Sequence, residues 1–211
     1  MALPAQPYDL LNDFPGWTIG FELMWRQEQS RVAGGRTIVK DLGSPLWQTK
    51  VQSKQLSPNL LDYWRARLDA MENGLATFRG YPVSRTFPIA YPRGAWPTAF
   101  DGVSANLHTI GGNNKSVRVN SLPATFKLSI GDLISFGDNL HRVVEAATAD
   151  GAGLTPLFEV RPHIWPGSVT GVAVAIKRPS CVMAIVPGSI SSEAGLDGRG
   201  SVAFQAMEAR S

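Results

Sequence analysis

Residues 57–74, SPNLLDYWRARLDAMENG, read as the one complete helix in a chain whose remaining text is strand and turn. Ser57 is placed to cap the first-turn amides, and Pro58 suits the first helical position, where no amide hydrogen is needed. Leu60, Leu61, Trp64, Leu68 and Met71 recur at helical spacing and form one apolar stripe, while Asp62, Arg65, Asp69 and Glu72 fall mostly elsewhere. Asn73-Gly74 can turn left-handed and end the helix, which is therefore expected over 57–73. A lone amphipathic helix must bury its stripe against something, and strand text surrounds it. The expected fold class is mainly β, with one flanking helix packed on a β domain.

Composition agrees. With 21 Gly, 15 Pro and short apolar runs between them, the chain has the punctuation of an all-β protein, and its 44% hydrophobic residues can build a core. Lys and Arg number 20 against 17 acids, a formal charge of +3 scattered without a basic block, which is too mild to imply nucleic-acid binding. No apolar run approaches membrane-spanning length, and the start lacks the basic and apolar regions of a signal peptide, so a soluble protein made in the cytosol is expected. Cys181, alone in SCVMAIV, reads as a buried structural thiol.

Along the chain, residues 1–16 carry Pro4, Pro7 and Pro15 and read as an extended arm, either a trailing end or a contact to a neighbour. Strict alternation then sets Trp17, Ile19, Phe21, Leu23 and Trp25 against Thr18, Gly20, Glu22, Met24 and Arg26, the pattern of a strand. Residues 26–44 have Gly34-Gly35 between polar, β-tolerant flanks and predict a long hairpin reaching beyond the core. In 46–54 the alternation returns, with Trp47, Thr49, Val51 and Ser53 on the packed side. After the helix, the prolines at 82, 88, 92 and 97 mark a passage between domains.

Residues 98–165 contain five short strand candidates separated by Gly, Asp and Asn turns, the pattern of a small barrel or sandwich. GVAVAIK, SCVMAIV and SVAFQAMEA follow as further strands.

A search for chemistry yields no catalytic, metal or cofactor residues. His108, His141 and His163 are far apart with no second ligand at metal spacing, and the PGS triplets lack the glycines of a nucleophile elbow. Gly195, Gly198 and Gly200 precede no helix that could present its N-terminus to a phosphate. Asp132 and Asp138 each follow a turn glycine, where Asp bonds nearby amides. A hydrolase using Asp132, Asp138 and His141 is the weakest of three readings. Trp96, Phe100, Phe126 and Phe136 are candidate aromatics for a barrel that binds oligosaccharide or single-stranded nucleic acid, with Trp96 and Phe100 the candidate ligand contacts.

The order of parts points further. PYDLLNDFPGWTIGFEL, the helix segment LSPNLLDYWRARLDAMENG, KLSIGDLISFGDNLHRVVEA, LFEVRPHI, PSCVMAIVPGS and SVAFQAMEA together resemble the distal tail proteins of long-tailed bacteriophages. The resemblance implies a tail-tube-like β-sandwich domain from 1–90 plus 169–211, interrupted by an oligonucleotide/oligosaccharide-binding (OB)-like barrel over 91–168. It implies a structural virion protein at the tail tip or baseplate, a hexameric ring joining the tail tube to the tip apparatus, with no catalysis and no cofactor. Tail-tube protein and tip hub proteins are the expected partners, a host surface glycan is a candidate ligand of the barrel, and DNA is only cargo in the channel. In such a ring the hairpin residues Arg31, Gly34, Gly35 and Arg36 are the candidate inter-subunit contacts. The alternative, from a different class, is a carbohydrate- or single-stranded nucleic-acid-binding β module that forms no ring.

Overall fold

The structure, a computed structural model, describes residues 6–96 and 99–209, apart from the side chains of Trp17 and Thr18. Of the readings above, Pro4, Pro97 and the direction of Trp17 and Thr18 lie outside the described residues. The chain runs through β1 Gly16–Met24, β2 Gln27–Arg31, β3 Thr37–Asp41 and β4 Leu46–Ser53, then α1 Pro58–Asp69 and β5 Thr77–Gly80. Next come β6 Ala105–Ile110, β7 Ser116–Asn120, β8 Lys127–Leu128, β9 Leu133–Phe136, β10 Asn139–Val143, β11 Ala147–Thr148, β12 Phe158–Arg161 and β13 Ala173–Ala175. The chain returns through β14 Cys181–Ile185, β15 Ser191–Ala194 and β16 Gly200–Glu208. Among the described residues the protein is mainly β with one α-helix, as the sequence predicts.

One sheet has the antiparallel order β1-β4-β16-β14-β5, with β15 also paired to β16. Period-two alternation decides its faces. Trp47, Thr49, Val51 and Ser53 of β4 point inward with Phe78, Cys181, Met183, Ile185, Val202, Phe204 and Ala206. The helix lays Leu61, Trp64 and Leu68 on this face and follows them with Met71, each at most 2% exposed. Burying each such side chain contributes about 1.5–3 kcal/mol, which outweighs the helix's short length.

The stripe is narrower than the sequence suggested, because Leu60 is 38% exposed. Ser57 takes the extended cap conformation but its side chain makes no cap bond. The helix ends one turn early, and Asn73 (φ 53°) and Gly74 (φ 105°) then turn left-handed. At Gly74 a Cβ would also collide with the Ile185 carbonyl oxygen, so glycine is required there.

The expected N-terminal arm is not free. The Tyr8 amide donates to Thr77 O and Tyr8 O accepts from Arg79 N, a parallel bridge that covers the outer edge of β5. Leu10, Leu11 and Phe14 are buried, and the Phe14 ring meets Trp64 at 5.0 Å and Phe204 at 5.6 Å. Apolar burial fixes this segment where its prolines gave no periodic signal. Trp25 also departs from its expected packed side and is 54% exposed, since β1 ends at Met24 and the chain leaves the sheet there.

The second unit is a closed antiparallel barrel in the order β10-β12-β7-β6-β13-β9. It encloses Leu107, Val117, Val119, Phe126, Ile134, Phe158, Val160 and Val174. Six strands close it, one more than the five of an OB barrel. The sixth, β13, pairs with β6 and β9 beyond residue 168, so the barrel text runs to Ile176 and past the boundary expected from sequence. The two units share an interface. Leu133 and Leu140 of β9 and β10 pack in the first core, and Trp47 Nε1 donates to Leu140 O at 2.6 Å.

Candidate functional site

The hairpin of β2 and β3 is the most conspicuous surface. Its register runs from Gln27↔Asp41 to Arg31↔Thr37, and every residue in both strands is exposed. At the tip Val32 N donates to Arg36 O (3.0 Å) and Gly35 N to Val32 O (2.9 Å), with Gly35 at φ 80°. The Gly34-Gly35 turn is therefore where the sequence predicted it. Arg31 and Arg36 stand on either side of the tip, exposed, with no ion pair among the described residues.

The hairpin also carries apolar residues that its polar, Gly-centred text does not announce. Ile38 (48% exposed) and Val39 (57%) are consecutive, so they point to opposite faces of the ribbon. Val32 and Leu42 extend the exposed apolar surface along the hairpin, and Trp25 stands at its base. Two adjacent β-branched residues in TIVKD are the signal in the sequence: they favour a strand and, being consecutive, place one apolar side chain on each of its faces. A two-stranded ribbon is at best marginally stable alone in water, and this one exposes apolar residues on both faces.

Trp96 and Phe100 lie together at one end of the barrel. Their rings stand 5.6 Å apart, each 5.7 Å from Phe126, and Tyr91 stacks on Phe126 at 4.4 Å. Tyr91 Oη also accepts from Lys127 N (2.9 Å). Trp96 and Phe100 are half-buried and cover Phe126, which is wholly enclosed. Both pack against the second core, whereas base or sugar stacking requires open rings. Phe136 is buried as well.

Asp132, Asp138 and His141 are engaged separately. Asp132 is buried and accepts from Ile89 N and Ser129 N, both at 2.7 Å. Burial raises its pKa, against the pull of those two amides and of Arg85. Asp138 occupies the left-handed turn between β9 and β10 and pairs with Arg79 at 3.2 Å. His141 stacks on Phe136 at 4.5 Å and its Nδ1–H donates to Pro162 O. Among the described residues no group of three or more His, Cys, Asp or Glu is placed to hold a metal ion, and no helix is long and apolar enough to cross a membrane.

A cleft of about 880 Å³ opens between β1 and the barrel. Ile19 and Phe21 border it on β1, Ile89 and Ile130 wall it, and Arg85 and Arg142 place guanidinium groups at it. β1 ends the sheet, so one edge of this nine-residue strand has no strand partner among the described residues. No model of a known protein family matches the chain, and no curated protein matches it. Function therefore rests on the surfaces just described.

Proposed function

We infer that this chain is a structural virion protein, a distal tail subunit whose ring joins the tail tube of a long-tailed bacteriophage to the tip apparatus. The β2–β3 hairpin is the observation that carries this reading. It projects from a well-packed sheet, buries none of its own residues and presents apolar side chains on both faces. In a closed ring, head-to-tail contacts let each copy cover the hairpin of the next, and one repeated contact suffices for the whole assembly. The six-fold count comes from the family resemblance alone.

The other sheet face suits a channel. Glu22, Lys50, Gln52 and Gln205 are exposed there, and Gln48 donates to Glu22 at 3.0 Å. Neutral amides lie in the middle of this face, and its acids Glu22 and Glu193 are matched by the bases Lys50 and Arg79, so it gives DNA cargo no strong electrostatic trap. Tail-tube and hub proteins stack on the two sides of the ring, and the barrel, whose Leu133 and Leu140 pack in the first core, docks on the sheet face opposite the channel. No catalytic step and no cofactor enter this role. The module without a ring is the less favoured reading because Trp96 and Phe100 pack on Phe126.

The double variant Ile38→Asp/Val39→Asp tests the hairpin. Both positions are about half exposed, so folding stability should change by no more than about 0.5 kcal/mol. Sedimentation velocity should show the unaltered chain associating with rising concentration and the variant remaining monomeric. Equal association of both proteins would rule the hairpin out as the ring contact.

A further inference from the structure

We propose that the cleft between β1 and the barrel docks an extended segment of another protein in which apolar residues alternate with carboxylates. The open edge of β1 offers backbone donors and acceptors to an added strand, and past the irregularity between Gly16 and Thr18 it runs regularly along the cleft from Thr18 to Phe21 for about 10 Å, enough for about three residues. Beside that edge the cleft is apolar. Ile130 is 64% exposed and Ile89 47% exposed, more than a packed wall would leave open, while Ile19 and Phe21 are half-buried below them. Side chains pointing to one face of an added strand would settle among these four residues, as strand addition with side-chain pockets requires.

Charge selects the occupant. Arg85 and Arg142 both reach the cleft and neither has an ion pair among the described residues. Arg142 is held by stacking over Trp47 at 5.0 Å, which orders its guanidinium without neutralising it. Arg85 is exposed and faces the buried Asp132 as its one carboxylate neighbour among the interactions described, so two cations, one of them ordered by Trp47, beside an apolar floor favour carboxylates on the incoming strand. The hairpin of a second copy supplies the wrong sign. Its exposed hairpin, residues 26–42, carries Arg26, Arg31, Arg36 and Lys40 against only Glu28 and Asp41. Docking it would set like charges against Arg85 and Arg142. The occupant is therefore not that hairpin; we assign it to a different protein, since the cleft is complete within one subunit whether or not a ring forms, and docking of a second copy through its exposed acidic stretch around Glu193 and Asp197 would contradict the assignment.

A library of random ten-residue peptides displayed on a carrier and panned against the full-length protein tests this. Recovered peptides should alternate apolar residues with Asp or Glu, and replacing those acids with Asn or Gln should weaken binding about tenfold or more. Arg85→Glu, at an exposed position, should weaken the same synthetic peptides by about tenfold, and adding Arg142→Glu should weaken them further. Arg142 touches Trp47, so the Arg85→Glu single variant keeps the test valid if the double variant folds poorly. Ile38→Asp/Val39→Asp should leave peptide affinity unchanged, which separates this site from the ring contact. Failure to enrich any peptide, a consensus without acids, affinity indifferent to Arg85→Glu, or competition by self-association of the chain would each overturn the proposal.

Discussion

Replacing Trp47 with alanine is expected to lower the unfolding free energy by about 3–5 kcal/mol, the largest effect of any single change at the joint between the two units. Trp47 is wholly buried on β4, and its backbone amide donates to the Glu208 carboxylate at 3.1 Å. Its ring packs against Phe21 at 5.1 Å and lies under Arg142, and Nε1 donates across the joint to Leu140 O. Alanine removes the ring and leaves a cavity where the first core meets β10. Phenylalanine separates the contributions. Trp47→Phe retains much of the packing but leaves the Leu140 carbonyl without this donor, at a cost of about 1–3 kcal/mol. Chemical denaturation of both variants measures the two terms. A neutral Trp47→Phe would show that the bond to Leu140 does not hold the barrel to the sheet.

Asp132 is the second position where a large loss is expected. Its two oxygens hold Ile89 N and Ser129 N, tying the chain that leads into the barrel to the turn before β9. Asp132→Ala removes the acceptor from both amides in a buried place, and the expected cost is about 2–4 kcal/mol. The side chain also makes stability depend on pH. Burial raises its folded pKa above the ordinary 3.8, although the two amides and Arg85 oppose the shift.

A raised folded value means that the native chain binds the proton more tightly than the unfolded chain. Between 3.8 and the raised folded value, Asp132's contribution therefore falls as pH rises, and it is level above that window. Asp132→Asn does not titrate and turns an NH2 group toward one of the two donors. Its stability deficit relative to the unaltered chain should be largest at the acid side of the window and shrink across it. A deficit that grows with pH there would show that the amides outweigh burial.

What the sequence revealed followed from local physics. The helix could be read because its apolar spacing, Pro58 and Asn73-Gly74 all lie within one segment, and β4 because Trp47, Thr49, Val51 and Ser53 alternate without a break. The hairpin was legible from Gly34-Gly35, but its role depends on Ile38 and Val39, whose adjacency matters only once both strands prove exposed. Non-local decisions were hidden. Tyr8, Leu10, Leu11 and Phe14 pack through contacts with Phe78, Trp64 and Phe204, which no nearby spacing announces. In the same way β13 joins the barrel by pairing with Asn106 and Phe136, far away in the chain. The cleft draws on β1, on 82–89 and on the barrel, so its parts are brought together only by the fold. β15, SSEA, is too polar and short to announce itself and is held by pairing with β16.

Negative-stain electron microscopy of the full-length protein across a concentration series shows whether the chain closes into rings. Closed six-fold rings with a central channel, increasing with concentration, are the predicted result. A uniform population of single particles at every concentration would contradict it.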